Sequence, residues 1–379
     1  MMDEVNPMAE MGLVHDKQII IEPQGFITPS NTIRNLAAEF IEHGARLYDM
    51  FDRYDSVITY ILNRDNVGNS SDAGKLIAPF LKASEAGDYN VSKYYRENLP
   101  VMPGAAEAME YFLNTLPTFI DTRMYEHAAY ALCEAVNVPI SIVNASSLEL
   151  DSTSMSRQTA RELRKTAADL AKVKISKTQY ELNVPVELDE DEVNMISALD
   201  EVFLRKLQKS EAGELMQNTS MVGSNEKAYA LLDIRKGTQV DLDGTAYVGG
   251  EQSDFQVLDL VKDGNGLAIS FNGAEFAVHG SNVAILSEDA TVVTVLVSKF
   301  YDTGIQGVFD LIDNWNRDYL KNADFPDRNL VDEMLRRHPK KLPEVYRVTR
   351  DNVSEIAAKS DEYRTKLFRK YEKKAAKKN

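Results

Sequence analysis

The segment Lys17-Gln18-Ile19-Ile20-Ile21 constrains the fold more than any other part of this chain. Three consecutive β-branched residues leave a strand with no polar face. The run is cut off by Pro23 and Gly25, which turn the chain out of extended structure. A strand that is apolar on both sides belongs in the middle of a parallel sheet covered by helices on each face.

The rest of the sequence supplies those helices and further strands. Residues 31–63 have helical spacing, with Leu36, Phe40, Ile41 and Ala45 on one stripe and Tyr48, Phe51, Ile58 and Ile61 on the next; Ser30 or Asn31 is placed to cap the first turn. More helix is expected over 73–97 and 103–116. A strand at 117–122 (PTFIDT) then precedes a helix at 124–136, and a further strand region is expected within 139–150. Two polar helices follow within 151–220, the second opened by the acidic run Asp189 to Glu192. Helix at 225–236, strand at 244–250, helix at 255–263 and strands at 266–273 and 282–286 complete an alternation of the doubly wound kind. The remainder is expected to be mostly helix.

Composition excludes several functions. The 379 residues carry a formal net charge of −16, which disfavours nucleic acid and anionic membranes as partners of the chain as a whole. Charge of the opposite sign collects at the end. Arg364, Lys366, Arg369, Lys370, Lys373, Lys374, Lys377 and Lys378 face only Asp361, Glu362 and Glu372. That cluster reads either as a solvated helix end or as a docking tail for an acidic partner or membrane surface. Cys133 is the only cysteine, in an apolar helical run, so it reads as a core residue and no intrachain disulfide can form. The five histidines lack ligand spacing. No apolar run reaches membrane-spanning length, and the acidic start lacks a secretory pattern, so a cytoplasmic protein not integral to a membrane is expected.

Four segments together resemble the haloacid-dehalogenase-like (HAD) phosphatase superfamily. Glu22-Pro23-Gln24-Gly25 follows the first strand, where that family has DxDG. Thr122 ends PTFIDT, where the family has Ser or Thr. Lys227, within Gly223–Ala228, stands at a helix start. Gly249-Gly250-Glu251-Gln252-Ser253-Asp254 follows a strand, where the family has GDxxxD. The stretch from Tyr247 to Gly273 is similar to an archaeal group that includes subunit R of the energy-converting hydrogenase A of methanogens. The resemblance implies a HAD-like doubly wound, mostly parallel sheet. Residues 17–30, 101–150 and 221–295 would form the α/β core, 31–100 a helical cap and 151–220 a helical insertion. A leader would occupy 1–16, and a helical extension with the basic tail 296–379.

The family's reaction uses an Asp nucleophile, a second Asp as acid and base, and a magnesium ion held partly by a fourth-motif Asp. Here Glu22 stands for the nucleophile, with a methylene that moves the attacking oxygen by about 1 Å or more. Gln24 cannot exchange a proton near neutral pH, and Gly250 offers no ligand. Thr122 and Lys227 remain as candidates for phosphate binding, with Asp254 and a displaced Glu251 as candidates for magnesium. Each has a plainer reading: Thr122 as a strand end, Lys227 as a solvated helix residue, Asp254 as the N-cap of the helix at 255–263. The string Asp241-Leu242-Asp243-Gly244-Thr245 spells the first motif, but it follows no apolar strand and reads as a loop. The implied protein is a catalytically impaired binding, accessory or scaffold subunit with protein partners. A magnesium-dependent phosphatase with a rearranged site and a sensor of a phosphorylated small molecule are the alternatives.

Overall fold

The computed structural model describes residues 15–62, 64, 72–176, 178 and 187–375. Most of the expected leader (1–14), and Lys377 and Lys378 of the basic tail, lie outside them.

The first strand, β1 (Gln18–Ile21), is followed by helices α1 (Thr32–Phe40), α2 (Gly44–Ser56), α3 (Asp72–Ala83), α4 (Asp88–Asn98) and α5 (Ala105–Thr115). Then come β2 (Thr118–Tyr125), α6 (Glu126–Ala135) and β3 (Val143–Ser146). The polar stretch forms α7 (Arg157–Leu170), α8 (Glu190–Asp200) and α9 (Glu211–Asn218). The alternation resumes with α10 (Ser224–Thr238), β4 (Thr245–Gly249), α11 (Phe255–Asp263), β5 (Leu267–Phe271), α12 (Glu275–Gly280) and β6 (Val283–Leu286). The chain ends in α13 (Thr291–Asp313), α14 (Arg317–Asn322), α15 (Arg328–Arg337), β7 (Glu344–Arg347) and α16 (Val353–Ala375).

The strands form one sheet in the order β3-β2-β1-β4-β5-β6-β7. All neighbours are parallel except β6 and β7. The expected mostly parallel α/β architecture is therefore present. After the sixth strand the chain is mostly helix, as expected, with one addition: β7, an antiparallel edge strand of only four residues. The central strands are apolar on both sides because both sides are covered. Ile19, Ile21, Val248 and Ile269 pack into the larger core, and Ile20, Tyr247 and Ala268 into a second one on the opposite face.

From β1 the chain winds outward one way through β2 and β3, then crosses back and winds the other way through β4 to β6. The reversal lies between β1 and β4, which are direct neighbours. Open α/β sheets leave a crevice at the carboxyl ends of the strands at such a reversal. The segments after Ile21 and Gly249 both lie there.

The helices of 31–100 are inserted directly after this loop. Entry and exit are held together by the Met102 N–H donating to Ile27 O at 2.8 Å. As expected, Asn31 caps α1, its side chain accepting from Arg34 N. Left-handed His43 (φ 60°) breaks the long helical stretch between α1 and α2. Helices of 151–220 pack on this block: α7 and α9 lie against α3, and α8 against α2. Glu192 of α8, wholly buried, receives Arg53 of α2 through Nε and Nη2 at 3.1 and 2.5 Å.

Candidate functional site

The loop after β1 puts Glu22 at the reversal, with no solvent exposure. Four donors occupy its carboxylate. Thr122 Oγ1 (2.6 Å) and the Gln24 N–H (3.0 Å) donate to Oε1; Lys227 Nζ (2.6 Å) and the Arg123 N–H (3.1 Å) donate to Oε2. Burial raises the Glu22 pKa and Lys227 opposes that rise.

Lys227 comes from the first turn of α10 and is also wholly buried. Its ammonium contacts Asp254 Oδ1 at 2.6 Å as well as Glu22. Burial would depress its pKa, but Asp254, Glu22 and Asp121 together hold it above the ordinary lysine value. Asp254 accepts four bonds too: Lys227 and the Tyr247 hydroxyl (3.0 Å) on Oδ1, and the backbone N–H groups of Gly250 (2.8 Å) and Glu251 (2.7 Å) on Oδ2. Asp254 does stand at the N-cap position of α11, as its plainer reading has it, but its side chain makes no cap bond to that helix. Gly249 is required here, because a Cβ on it would lie 2.6 Å from Asp254 Oδ2.

Thr122 does not end its strand. β2 continues to Tyr125, with a register shift against β3 after Thr122. The extra length positions Arg123, which the sequence reading missed. Its guanidinium reaches Glu251 (Nη1 to Oε2, 3.4 Å), Asp52 of α2 (Nη2 to Oδ1, 3.2 Å) and the Tyr48 hydroxyl. Asp121 was missed as well. It is buried, accepts from Asn144 Nδ2 at 2.7 Å on Oδ1, and has no partner on Oδ2. Burial, only partly offset by Lys227, pushes its pKa up to about 7. A charged residue inside the otherwise apolar run TFIDT was the signal available in the sequence.

Gln24 bonds to the start of α1. Its Oε1 accepts from the N–H (3.0 Å) and hydroxyl (3.2 Å) of Thr32, satisfying a free donor at the start of α1. Its amide nitrogen faces Glu251 closely enough to favour that carboxylate's charged form, but falls short of hydrogen-bond geometry.

The Glu251 carboxylate is held by arginines. Arg364, from α16, donates to it through Nη2 and to the carbonyls of Gly250 and Asn272 through Nη1, each at 3.2 Å. Burial would raise the Glu251 pKa, but Arg364 and Arg123 hold it down at about 2. Arg364 had been read only as part of the basic tail.

These residues do not fit a magnesium ion. Glu22 and Asp254 are saturated by donors, Glu251 is held between two guanidinium groups, and Arg364 Nη1 lies 3.4 Å from where a Cβ of Gly250 would be. No group of three or more His, Cys, Asp or Glu with metal-holding geometry occurs among the described residues. The DLDGT string forms a short helical turn entering β4, at the opposite end of that strand from the site. Cys133 is buried in α6, as expected, and burial pushes its thiol up to about 11. Among the described residues no helix is long and apolar enough to cross a membrane.

A cavity of about 410 Å³ opens between α2 and the loops after β4 and β5, lined by Asp49, Asp52, Ser56, Gln252, Glu275 and Phe276 among others. Ser56 Oγ donates to Gln252 Oε1 across it at 2.7 Å. Thr122 and Lys227 do not line it.

No protein-family model matches the sequence, and no curated protein does. Solved structures do match. The structure of gene product AF1437 from Archaeoglobus fulgidus superposes with a TM-score of 0.74 at 18% identity, covering 93% of this chain and 97% of that one. Phosphoserine phosphatase in its apo form matches with a TM-score of 0.43 at 11% identity, covering 74% of this chain and 98% of that one. Its substrate-bound complex gives 0.45 at 12% over 74% and 97%. At such identities the likeness to the archaeal protein establishes a shared α/β fold extending over nearly the whole of both chains.

Proposed function

We propose that this chain is a HAD-like protein that binds rather than hydrolyses, serving as an accessory or scaffold subunit in an archaeal complex. The observation that carries this reading is the state of Glu22. An attacking carboxylate needs an oxygen free to approach phosphorus along an open line. Glu22 has four donors on its two oxygens and no path to solvent. The general acid position holds Gln24, an amide engaged with Thr32. In this reading the helices of 31–100 and 151–220 form one cap over the sheet, and protein partners take the place of a substrate.

The two alternatives have less support. A rearranged magnesium-dependent phosphatase would need Glu22, Asp254 and Glu251 to converge, whereas Glu251 turns to Arg123 and Arg364. A phosphorylated ligand held by Thr122 and Lys227 would have to displace Glu22 from both.

Hydrolysis of p-nitrophenyl phosphate with and without magnesium tests the proposal. No turnover above background is expected. Robust turnover that Glu22→Ala abolishes would overturn it.

A further inference from the structure

Among the described residues, Arg364 is the one charged side chain of α16 that enters the site, and the recess it enters has a definite chemistry. Its walls are two backbone carbonyls, Gly250 O and Asn272 O, and the Glu251 carboxylate. One nitrogen of the fork serves both carbonyls and the other serves the carboxylate. Gly25 and Gly250 flank the fork: a Cβ on either would lie 3.4 Å from Arg364 Nη1, in van der Waals contact with it. The guanidinium also stacks on Phe368 of its own helix, 4.4 Å from the ring centroid.

We propose that this recess is a guanidinium-binding site, and that Arg364 fills it in cis. Withdrawal of α16 would leave it open to a guanidinium group from elsewhere, such as an arginine side chain of a partner. This deepens the binding-protein reading and rests on it.

The chemistry distinguishes a guanidinium from a metal ion. Two carbonyls and one carboxylate match a planar, delocalised cation with donors on separate arms. Magnesium requires near-octahedral oxygen at roughly 2.1 Å and gains most from several carboxylates. The recess offers one, and that one is shared with Arg123 Nη1 at 3.4 Å. A second fixed cation so close penalises a doubly charged ion more than a singly charged, spread one.

Removing Arg364 would leave Glu251 short of a partner in a buried place. A small cation of the right shape should then bind the folded chain and raise its melting temperature. The experiment measures thermal melting of full-length wild type and Arg364→Ala in millimolar guanidinium chloride, methylguanidinium chloride, magnesium chloride or potassium chloride at matched ionic strength. Expected is a lower Tm for the variant and a saturable recovery of at least about 2 °C in guanidinium or methylguanidinium. Wild type should show none. No recovery beyond the potassium control overturns the proposal, and so does recovery in magnesium alone. If Arg364→Ala does not fold, Arg364→Lys supplies the test. It keeps the charge, but an ammonium cannot span the carbonyls and the carboxylate in one plane. It should melt measurably below wild type, and an equal Tm overturns the proposal. Phosphatase turnover by wild type would defeat the binding-protein reading whatever the melting curves show, so the two failures are distinguishable.

Discussion

Lys227 Nζ sits 2.6 Å from Glu22 Oε2, and neither side chain has any exposure to solvent. The same ammonium neutralises Asp254, so one cation serves two buried carboxylates. Removing one member of a buried ion pair strands the charge of the other, which costs about 3–5 kcal/mol. Lys227→Met should therefore lower unfolding free energy by about that amount in urea titration. A loss under about 1 kcal/mol would show that the carboxylates find water or protons instead.

Asp121 gives the site a pH dependence of definite sign. Its folded pKa is about 7, against about 3.9 unfolded. Between those values the folded state holds a proton that the unfolded state has lost. Its contribution is fully present below about pH 4, falls as pH rises, and is gone above about pH 7. The span is on the order of 4 kcal/mol. Asp121→Asn should flatten this slope and make the protein more stable than wild type above neutrality. Parallel stability curves for the two proteins from pH 5 to pH 8 would refute the assignment.

Restoring the acid that the resemblance leads one to expect at Gly250 should not restore chemistry. A Cβ there would lie 2.8 Å from Phe271 O, a backbone atom that cannot turn aside. Gly250→Asp is expected to destabilise by about 1–3 kcal/mol through overpacking and to show no more turnover of p-nitrophenyl phosphate than wild type. A variant as stable as wild type and newly active would mean that the recess is more pliable than its geometry implies.

Arg53 and Glu192 join the two helical blocks through a pair whose carboxylate is wholly buried. Arg53→Met should cost about 3 kcal/mol and speed proteolytic cleavage between α7 and α9 before the sheet is attacked. Unchanged cleavage kinetics would show that the blocks are held together without this pair, by apolar packing and by the other polar links such as Arg64 to Asp200.

Much of this was legible in the residues. The triple isoleucine announced a strand buried on both faces, and Glu22, Thr122, Lys227 and Asp254, chosen from motif order, do meet at one place. What escaped notice depends on distance along the chain. Arg123 looked like any residue after a strand, because β2 was expected to stop at Thr122, three residues short of its end at Tyr125. Arg364 lay in a lysine-rich helix whose charges suit water, and nothing local separates the one arginine that turns inward. β7 is too short for alternation to register, and its pairing with β6 comes from tertiary contact. Gln24 was weighed as a failed acid, whereas it works as a hydrogen-bond acceptor for the backbone.

The antiparallel return of β7 along β6 has a consequence for how the molecule is made. It brings α16 back across the sheet, so the residue that fills the recess is translated well after Gly250, Glu251 and Asn272, which line it. While the polypeptide is still emerging, Glu251 has Arg123 but lacks Arg364, and the recess stands open. A nascent chain that has not yet reached α16 would thus present a recess that Arg364 later fills, and time of synthesis becomes a variable in what this protein can hold.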